Sequence, residues 1–286
     1  MAQSHDVKGA AVTVRKALVA AADRLALAGC ETPRVDAELL VAHVLECSRS
    51  DVRMQLGREL DHAELARLEA YVLRREQREP LAYVLGEWGF RRITLGVDSR
   101  VLVPRPETEV VVERCLARIA GIPEPLVLDV GTGSGAIALA IADEHRGARV
   151  TGIDASEDAL AVARGNAART GLTAEFVFGD LFAPFPGGPW DLVVSNPPYV
   201  RPNEIDDLPS EVRDWEPRAA LVGEGASEAV ATGAVHVLRP GRALVLETAD
   251  GDAGRIASLL GELGYSEVST TKDLTGRERV VEGVCP

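Results

Sequence analysis

Cysteine is scarce in this 286-residue chain, and its spread excludes two chemistries at once. Cys30, Cys47, Cys115 and Cys285 lie far apart and form no CxxC pair. Neither a metal site nor a disulfide framework is expected, and the thiols read as small buried hydrophobes in a reducing compartment. Long apolar runs are missing as well: none approaches the roughly eighteen residues that span a bilayer. Asp6, Lys8, Arg15, Lys16, Asp23 and Arg24 break up the first thirty residues, which leaves no uncharged signal core. A cytoplasmic protein without a membrane partner is the expectation. Basic charge is in deficit, with a formal net charge of −13. Residues 1–90 hold 12 Lys/Arg against 14 Asp/Glu, so most of the deficit lies beyond them. A protein that grips duplex nucleic acid offers a basic face to the phosphates, so no direct nucleic-acid partner is expected. Internal repeats and low-complexity tracts are absent too.

What is present has the composition of a globular chain, 46% hydrophobic and 26% charged, with room for one large domain and a small one. Residues 11–85 read as helix almost throughout. Val14, Ala17, Leu18, Ala21, Ala22 and Leu25 recur at helical spacing, with Gly29 as the stop. Thr32 and Pro33 read as an N-cap and a first-turn proline, and Asp61 with Glu64 as a capping box. His43 and His62 are lone helical histidines and are read as structural. Phe90, Ile93, Leu95, Val97, Val101 and Val103 alternate with polar residues and glycines, which predicts a hairpin linker over 86–104. Beyond it, apolar runs alternate with helical stretches, the pattern of a doubly wound α/β sheet. Candidate strands are 126–130, 149–153, 175–178, 191–195, 242–247, 266–271 and 278–284. Pro202, Pro209, Pro217, Gly223 and Gly225 mark 200–225 as a long irregular loop, of the kind that forms lids and binding loops.

The most informative stretch is Ser195-Asn196-Pro197-Pro198-Tyr199, at the end of the apolar run Asp191-Leu192-Val193-Val194. Proline supplies no N–H and pushes the residue before it into extended backbone, so the turn is stiff and no helix consumes its carbonyls. Asn196 adds a side-chain carbonyl and an NH₂. Two acceptors beside an aromatic face suit the grip of a planar –NH₂ group; a rigid strand exit is the plain alternative. In Leu126-Val127-Leu128-Asp129-Val130-Gly131-Thr132-Gly133-Ser134-Gly135 a strand enters a GxGxG turn that opens a helix. Such glycines let backbone approach a ligand closely, and the Rossmann GxGxxG spacing is not matched. Asp129 beside the loop is unhelpful to a pyrophosphate and favourable to a cation. S-adenosylmethionine carries an ammonium and a sulfonium and no phosphate. Asp154, ending the second strand, is placed to accept from ribose hydroxyls, or else caps the next helix. Asp180 closes the third strand, where it could accept from an adenine amino group with Leu181 flanking the ring. With Asn196 these residues fall on the carboxyl edge of one sheet, where open α/β sheets bind ligands. Together they favour S-adenosylmethionine over a dinucleotide.

Four stretches, in order, resemble the release-factor glutamine methyltransferases, the HemK family. They are Thr32-Pro33-Arg34-Val35-Asp36-Ala37-Glu38-Leu39-Leu40, Val103-Pro104-Arg105-Pro106-Glu107-Thr108-Glu109, the glycine loop, and Ser195-Asn196-Pro197-Pro198-Tyr199. The second discriminates, because Asn-Pro-Pro-Tyr alone also occurs in adenine-N6 methylases. The resemblance implies a Rossmann-like class I methyltransferase sheet over 105–286 and a small N-terminal helical bundle over 1–85 that docks the protein substrate. It implies S-adenosylmethionine as cofactor, held by Asp129, the 131–135 loop, Asp154, Asp180, Leu181 and Asn196. It implies N5-methylation of the glutamine in the Gly-Gly-Gln loop of peptide chain release factors, hence a role in translation termination. Asn196, Pro197, Pro198 and Tyr199 would hold the reacting amide, with Arg105 and Glu107 on the substrate side; a plain strand-to-helix turn is the alternative for Arg105, Pro106 and Glu107. No evident general base stands near the motif, so positioning and electrostatics are expected to dominate. Two departures stand out. Leu221-Val222-Gly223-Glu224-Gly225-Ala226 replaces a Gly-Gly-x-Asp-Gly-like turn, and Thr248-Ala249-Asp250-Gly251 replaces a Gln-containing one. A ribosomal-protein glutamine methylase would share the motifs. An adenine-N6 methylase would need a basic stripe, which is not visible, and intact Asn196 and Tyr199 weigh against a non-catalytic sensor.

Overall fold

The computed structural model describes residues 11–286, which divide into two compact units, one ending at Leu85 and one running from Gly86 to Pro286. The first is built from α1 (Val14–Leu27), α2 (Pro33–Val44), α3 (Arg49–Val52), α4 (His62–Glu76) and α5 (Leu81–Leu85). Helical spacing puts Val14, Ala17, Ala21 and Leu25 on one buried stripe of α1, where they join Leu40, Val44, Leu68 and Val72 in one apolar cluster. Thr13 caps α1 by accepting from the Lys16 N–H, and Asp61 and Glu64 form the expected reciprocal box on α4. Thr32 and Pro33 stand at the expected N-cap and first-turn positions of α2, but the Thr32 side chain makes no cap bond; its hydroxyl donates to Asp36 Oδ1 at 2.7 Å. Asp36 is buried against Arg75 at 2.8 Å, with side chains 4% and 6% exposed, and so needs every donor within reach.

The second unit opens with the hairpin β1 (Glu87–Phe90) and β2 (Ile93–Gly96). Val97, Val101 and Val103 lie outside those strands, yet all three are buried. There follow α6 (Thr108–Ile119), β3 (Leu126–Val130), α7 (Ala136–Glu144), β4 (Arg149–Asp154), α8 (Glu157–Thr170), β5 (Glu175–Phe178) and β6 (Trp190–Ser195). Beyond these come α9 (Ser210–Arg213), α10 (Arg218–Leu221), α11 (Ala226–Val235), β7 (Leu238–Glu247), α12 (Ala253–Glu262), β8 (Ser266–Lys272) and β9 (Glu278–Val284). One sheet takes seven strands in the order β5-β4-β3-β6-β7-β9-β8, parallel from β5 to β7, with β9 antiparallel to both its neighbours. Alternate residues feed two cores. Val127, Leu192, Val194 and Val245 pack on one face with Phe90, Leu95, Cys115 and Leu139. Leu128, Val193, Leu244 and Leu246 pack on the other with Val230, Ile256 and Leu260. This two-sided burial is why the central strands read as unbroken apolar runs.

Two expectations change. β7 begins at Leu238 rather than at 242, because Pro240-Gly241 makes a bulge and not a turn: Trp190 pairs with Leu238 and Leu192 with Ala243. Residues 200–225 are not an irregular loop. A 3₁₀ turn at Pro202–Asp207, α9 and α10 fill them, and Val200 bridges Val222. Their prolines start these turns rather than break structure, since a fixed φ and a missing N–H suit a first turn. Among the described residues no helix is long and apolar enough to cross a membrane, and no group of His, Cys, Asp or Glu is placed to hold a metal.

The buried pair in the helical unit carries a prediction. Asp36→Ala removes the anionic partner of the buried Arg75 guanidinium and should lower stability by about 3–5 kcal/mol in denaturant unfolding, with Arg75→Met in the same chain recovering much of it. A loss below about 1 kcal/mol would place the stabilisation in Arg75's other contacts.

Candidate active site

Parallel pairing brings the ends of five strands, β3 to β7, to one edge. Val130 pairs with both Ile153 and Ser195, Asp154 with Phe178, and Ser195 with Leu246. The glycine loop, Asp154, Asp180, Asn196 and Glu247 therefore share that edge, and strand order reverses between β3 and β6, where such sheets bind ligands.

Short bonds tie the glycine loop to β4. The Gly131 and Thr132 N–H groups donate to the Ile153 carbonyl at 2.9 Å, and the Gly133 N–H to Asp154 Oδ2 at 2.9 Å. Gly131 and Gly133 hold φ of +73° and +54°, and a Cβ on either would meet nothing within 4 Å, so their backbone borders open space. A Cβ on Gly135 would press on Phe176, Ala163 and Leu139 instead, so that glycine serves packing. Ser134 is buried, and its carbonyl accepts from Asn166 Nδ2 at 2.9 Å. Asn166 also clasps both backbone groups of Gly96.

Asp129 lies under the loop and is fully buried. Its Oδ2 accepts from the Thr132 hydroxyl at 2.7 Å and the Ala138 N–H at 3.2 Å, while Oδ1 has no partner among the described residues. Burial pushes the Asp129 carboxyl up to about 7 against those two bonds, and the charge of Asp154 adds to the rise. Burial raises Asp154 as well, although its oxygens accept from Gly133 and Ser156. The cap of α8 is Ser156, through the Ala159 N–H, and not Asp154. Asp180 is exposed and accepts from the Phe182 N–H, beside half-buried Leu181. Two acids pushed up by burial, one with an orphaned oxygen, make this part of the edge favourable to a cation and hostile to a phosphate. The residues fit the ammonium and sulfonium of S-adenosylmethionine.

Next to it a cavity of about 210 Å³ is lined by Arg105, Asn196, Pro197, Pro198 and Tyr199, with walls that include Leu102 and Leu221. Arg105 is not free: its Nη2 donates to both oxygens of Glu216, at 2.7 and 2.6 Å. Glu107 is not among the lining residues and sits in the turn that leads into α6. Asn196 Nδ2 donates to Thr108 Oγ1 at 3.3 Å, and the Thr108 hydroxyl donates to Glu247 Oε2 at 2.6 Å. The Tyr199 hydroxyl points to Glu247 Oε1 at 3.5 Å. Burial pushes Glu247 up to about 7, opposed by the Thr108 bond and the Arg279 charge, with Glu107 adding to the rise. Burial, then the Glu247 charge, pushes Tyr199 up to about 12, so it stays a phenol. Gly223 abuts this turn, since a Cβ there would fall 2.5 Å from Pro198 Cγ. Sequence reasoning gave no role to Asn166, Thr108, Glu216 or Glu247. The signal for Glu247 was available: an acid ending an apolar run, as at Asp129 and Asp154.

The raised Asp129 has a consequence for stability. Its folded value lies above its unfolded one, so the stability it contributes is full below about pH 4 and is lost as pH rises through about 7. In ligand-free protein, Asp129→Asn should gain stability relative to the parent chain between pH 5 and 8, read as a widening difference in denaturant midpoint. A difference that stays constant across that range would mean the carboxyl ionises freely in the fold.

Known proteins bear on this geometry at two levels. The PrmC N-terminal domain family matches residues 16–86 and the methyltransferase small domain family matches residues 108–211. Among solved structures, a methyltransferase from Pyrococcus furiosus superposes with a TM-score of 0.51 at 20% identity, covering 76% of this chain and 96% of that one. The hMettl16 catalytic domain does so with a TM-score of 0.54 at 16% identity, covering 80% and 84%. These two establish the fold. The release factor glutamine methyltransferase of Caulobacter vibrioides is 41% identical over 282 residues, 96% of each chain. That of Vibrio cholerae is 39% identical over 278 residues, 95% of this chain and 96% of the other. Likeness of that degree extends through the helical unit, the turn into α6, the glycine loop and the Asn196 turn alike, and the chain belongs to the release factor glutamine methyltransferases.

Proposed function

We propose that this protein methylates the side-chain amide nitrogen of the glutamine in the Gly-Gly-Gln loop of peptide chain release factors, in the cytoplasm where those factors work. The observation that carries the site assignment is the cavity of about 210 Å³ whose lining combines apolar Leu102 and Leu221 with Asn196, Pro197, Pro198 and Tyr199. A glutamine side chain has the matching form, an apolar stem with a planar amide at its tip. The helical unit docks the factor, and neither membrane nor nucleic acid takes part.

Asn196 spends Nδ2 on Thr108 and keeps Oδ1 for a donor. The Pro197 carbonyl accepts no backbone hydrogen bond among the described residues. These two acceptors take the two N–H bonds of the substrate amide, orient its nitrogen, and stabilise the positive charge that grows there as the C–N bond forms. Bound S-adenosylmethionine supplies the electrophilic methyl group. Asp129, Gly131, Thr132, Gly133, Ser134, Asp154, Asp180, Leu181 and Asn196 would hold it, with Gly135 packing the loop in place. Tyr199 packs on the amide plane and keeps water out. Arg105, locked to Glu216, shapes the wall beside it. The amide nitrogen sheds its extra proton to solvent afterwards, when lost resonance has made it acidic.

Labelled methyl from S-adenosylmethionine should be found on the Gly-Gly-Gln tryptic peptide of a release factor by mass spectrometry; label only in DNA or a ribosomal protein overturns the reading. Asn196→Ala should keep cofactor affinity in calorimetry while turnover falls by about 100-fold or more. Equal loss of affinity and turnover would remove Asn196 from the catalytic role. Gly223→Ala should displace Pro198 and lower turnover by about tenfold or more at normal cofactor affinity. Unchanged turnover would show that the turn yields to a methyl group.

A further inference from the structure

We propose that Thr108 and Glu247 are positioning residues that decide which end of the Asn196 amide meets the substrate, an inference that rests on the function proposed above. Neither side chain lines the cavity. Thr108 has one hydroxyl proton and two partners: Glu247 Oε2 at 2.6 Å and Asn196 Nδ2 at 3.3 Å. An ionised carboxylate has no proton to give, and a carboxyl protonated on Oε1 still offers Oε2 as an acceptor, so the hydroxyl proton goes to Glu247 and the Thr108 oxygen is left as an acceptor. Asn196 can satisfy that oxygen only with Nδ2, which leaves Oδ1 for the substrate amide. If the Thr108 proton turned the other way, Asn196 would offer Oδ1 to it and present Nδ2 to the substrate. Two NH₂ groups would then face each other with no hydrogen bond between them, and the grip would be lost.

The surroundings hold the proton in place. Thr108 and Glu247 are 4% and 1% exposed, so water does not compete for the hydroxyl. The Tyr199 hydroxyl faces the other oxygen of Glu247 and does not contest Oε2. Burial favours the protonated carboxyl most strongly, while the Thr108 bond and the positive charge of Arg279 favour the ionised one, with Glu107 opposing them. Thr108 is the first residue of α6 and Glu247 the last of β7, so two packed elements fix their separation. Glu247 therefore acts at a distance from the reacting nitrogen, through one hydroxyl and one amide.

The test is steady-state methylation of a release factor by the full chain, with kcat and KM separated, cofactor affinity by calorimetry and folding by thermal unfolding. Thr108→Val keeps the shape and removes the hydroxyl; kcat should fall by about 100-fold, with KM and cofactor affinity nearly unchanged. Thr108→Ser should recover most of that loss. Glu247→Gln still offers an amide oxygen to Thr108 while its NH₂ donates to Tyr199, so it should keep most of kcat. Glu247→Leu should lose as much as Thr108→Val, and the double variant should be no slower than either single one, because both act through one proton. A Thr108→Val enzyme with parental kcat overturns the inference. So does Glu247→Gln as slow as Glu247→Leu, which would make charge and not acceptance the requirement. If Glu247→Leu does not fold, the Val and Ser pair at 108 and Glu247→Gln decide the matter alone. A parent chain inactive on release factor defeats the proposed function; an active parent with unperturbed variants defeats only this inference.

Discussion

The parallel pairing of β3 with β4 and β6 is the constraint from which the chemistry of the sheet unit follows. Parallel strands deliver their carboxyl ends to one edge, and crossover helices cover both faces. Between the two cores β3, β6 and β7 carry the apolar runs 126–128, 192–194 and 243–246, and the polar groups of the ligand edge stand where those runs end. Asp129, Asp154, Ser195 and Glu247 all stand at or next to strand ends for this reason. The same placement leaves them largely out of water. Burial then raises Asp129, Asp154 and Glu247 above ordinary carboxyl values. Acids with raised proton affinity are thus a product of the fold and need no special local device.

The edge uses this property in two ways. Around Asp129 the acid count exceeds the donors available, and Oδ1 is left without a partner among the described residues, a shortage that suits a cationic neighbour. Around Glu247 the donors nearly balance the carboxylate, from Thr108 on one oxygen and Tyr199 on the other. That balance suits a site that must hold a neutral amide without charging it. The Arg105–Glu216 pair is a third use of buried charge. It ties the turn before α6 to the segment between β6 and α11, both of which wall the cavity. Removing either partner would leave an uncompensated charge there.

Much of this was legible in the sequence, and the parts that were not share a cause. Strand positions were readable because two-sided burial writes unbroken apolar runs, as in Leu192-Val193-Val194. The glycine loop and the Asn196 turn were readable because glycine and proline carry their backbone consequences with them. The start of β7 was missed because a bulge at Pro240-Gly241 has the composition of a turn. The prolines of 200–225 have the composition of an irregular loop, yet Pro202, Pro209 and Pro217 each stand at the start of a helical turn. Thr108 and Glu247 escaped because their partners are remote: 88 residues separate Thr108 from Asn196 and 139 separate it from Glu247. Asn166 sits 70 residues from the Gly96 it clasps. No local pattern encodes such pairings.

The two departures from the family pattern make sense in the same physical terms. In the first, what the neighbouring turn demands is a residue without Cβ against Pro198, and Gly223 meets that demand whatever stands beside it. In the second, the main chain of Thr248 forms a clasp that asks for no particular side chain: its N–H donates to the Arg279 carbonyl at 2.9 Å, and Arg279 Nη1 donates back to the Thr248 carbonyl at 3.1 Å. Asp273, held down to about 2 by bonds from Thr275 first, pairs with the same arginine from the other side. Arg279 is thereby pinned beside the end of β7, where its charge favours the ionised form of Glu247. An ionised Glu247 is the one that can only accept from Thr108. The turn after β7 thereby helps to hold, through its first residue, the arginine whose charge acts on the carboxyl at the end of that strand.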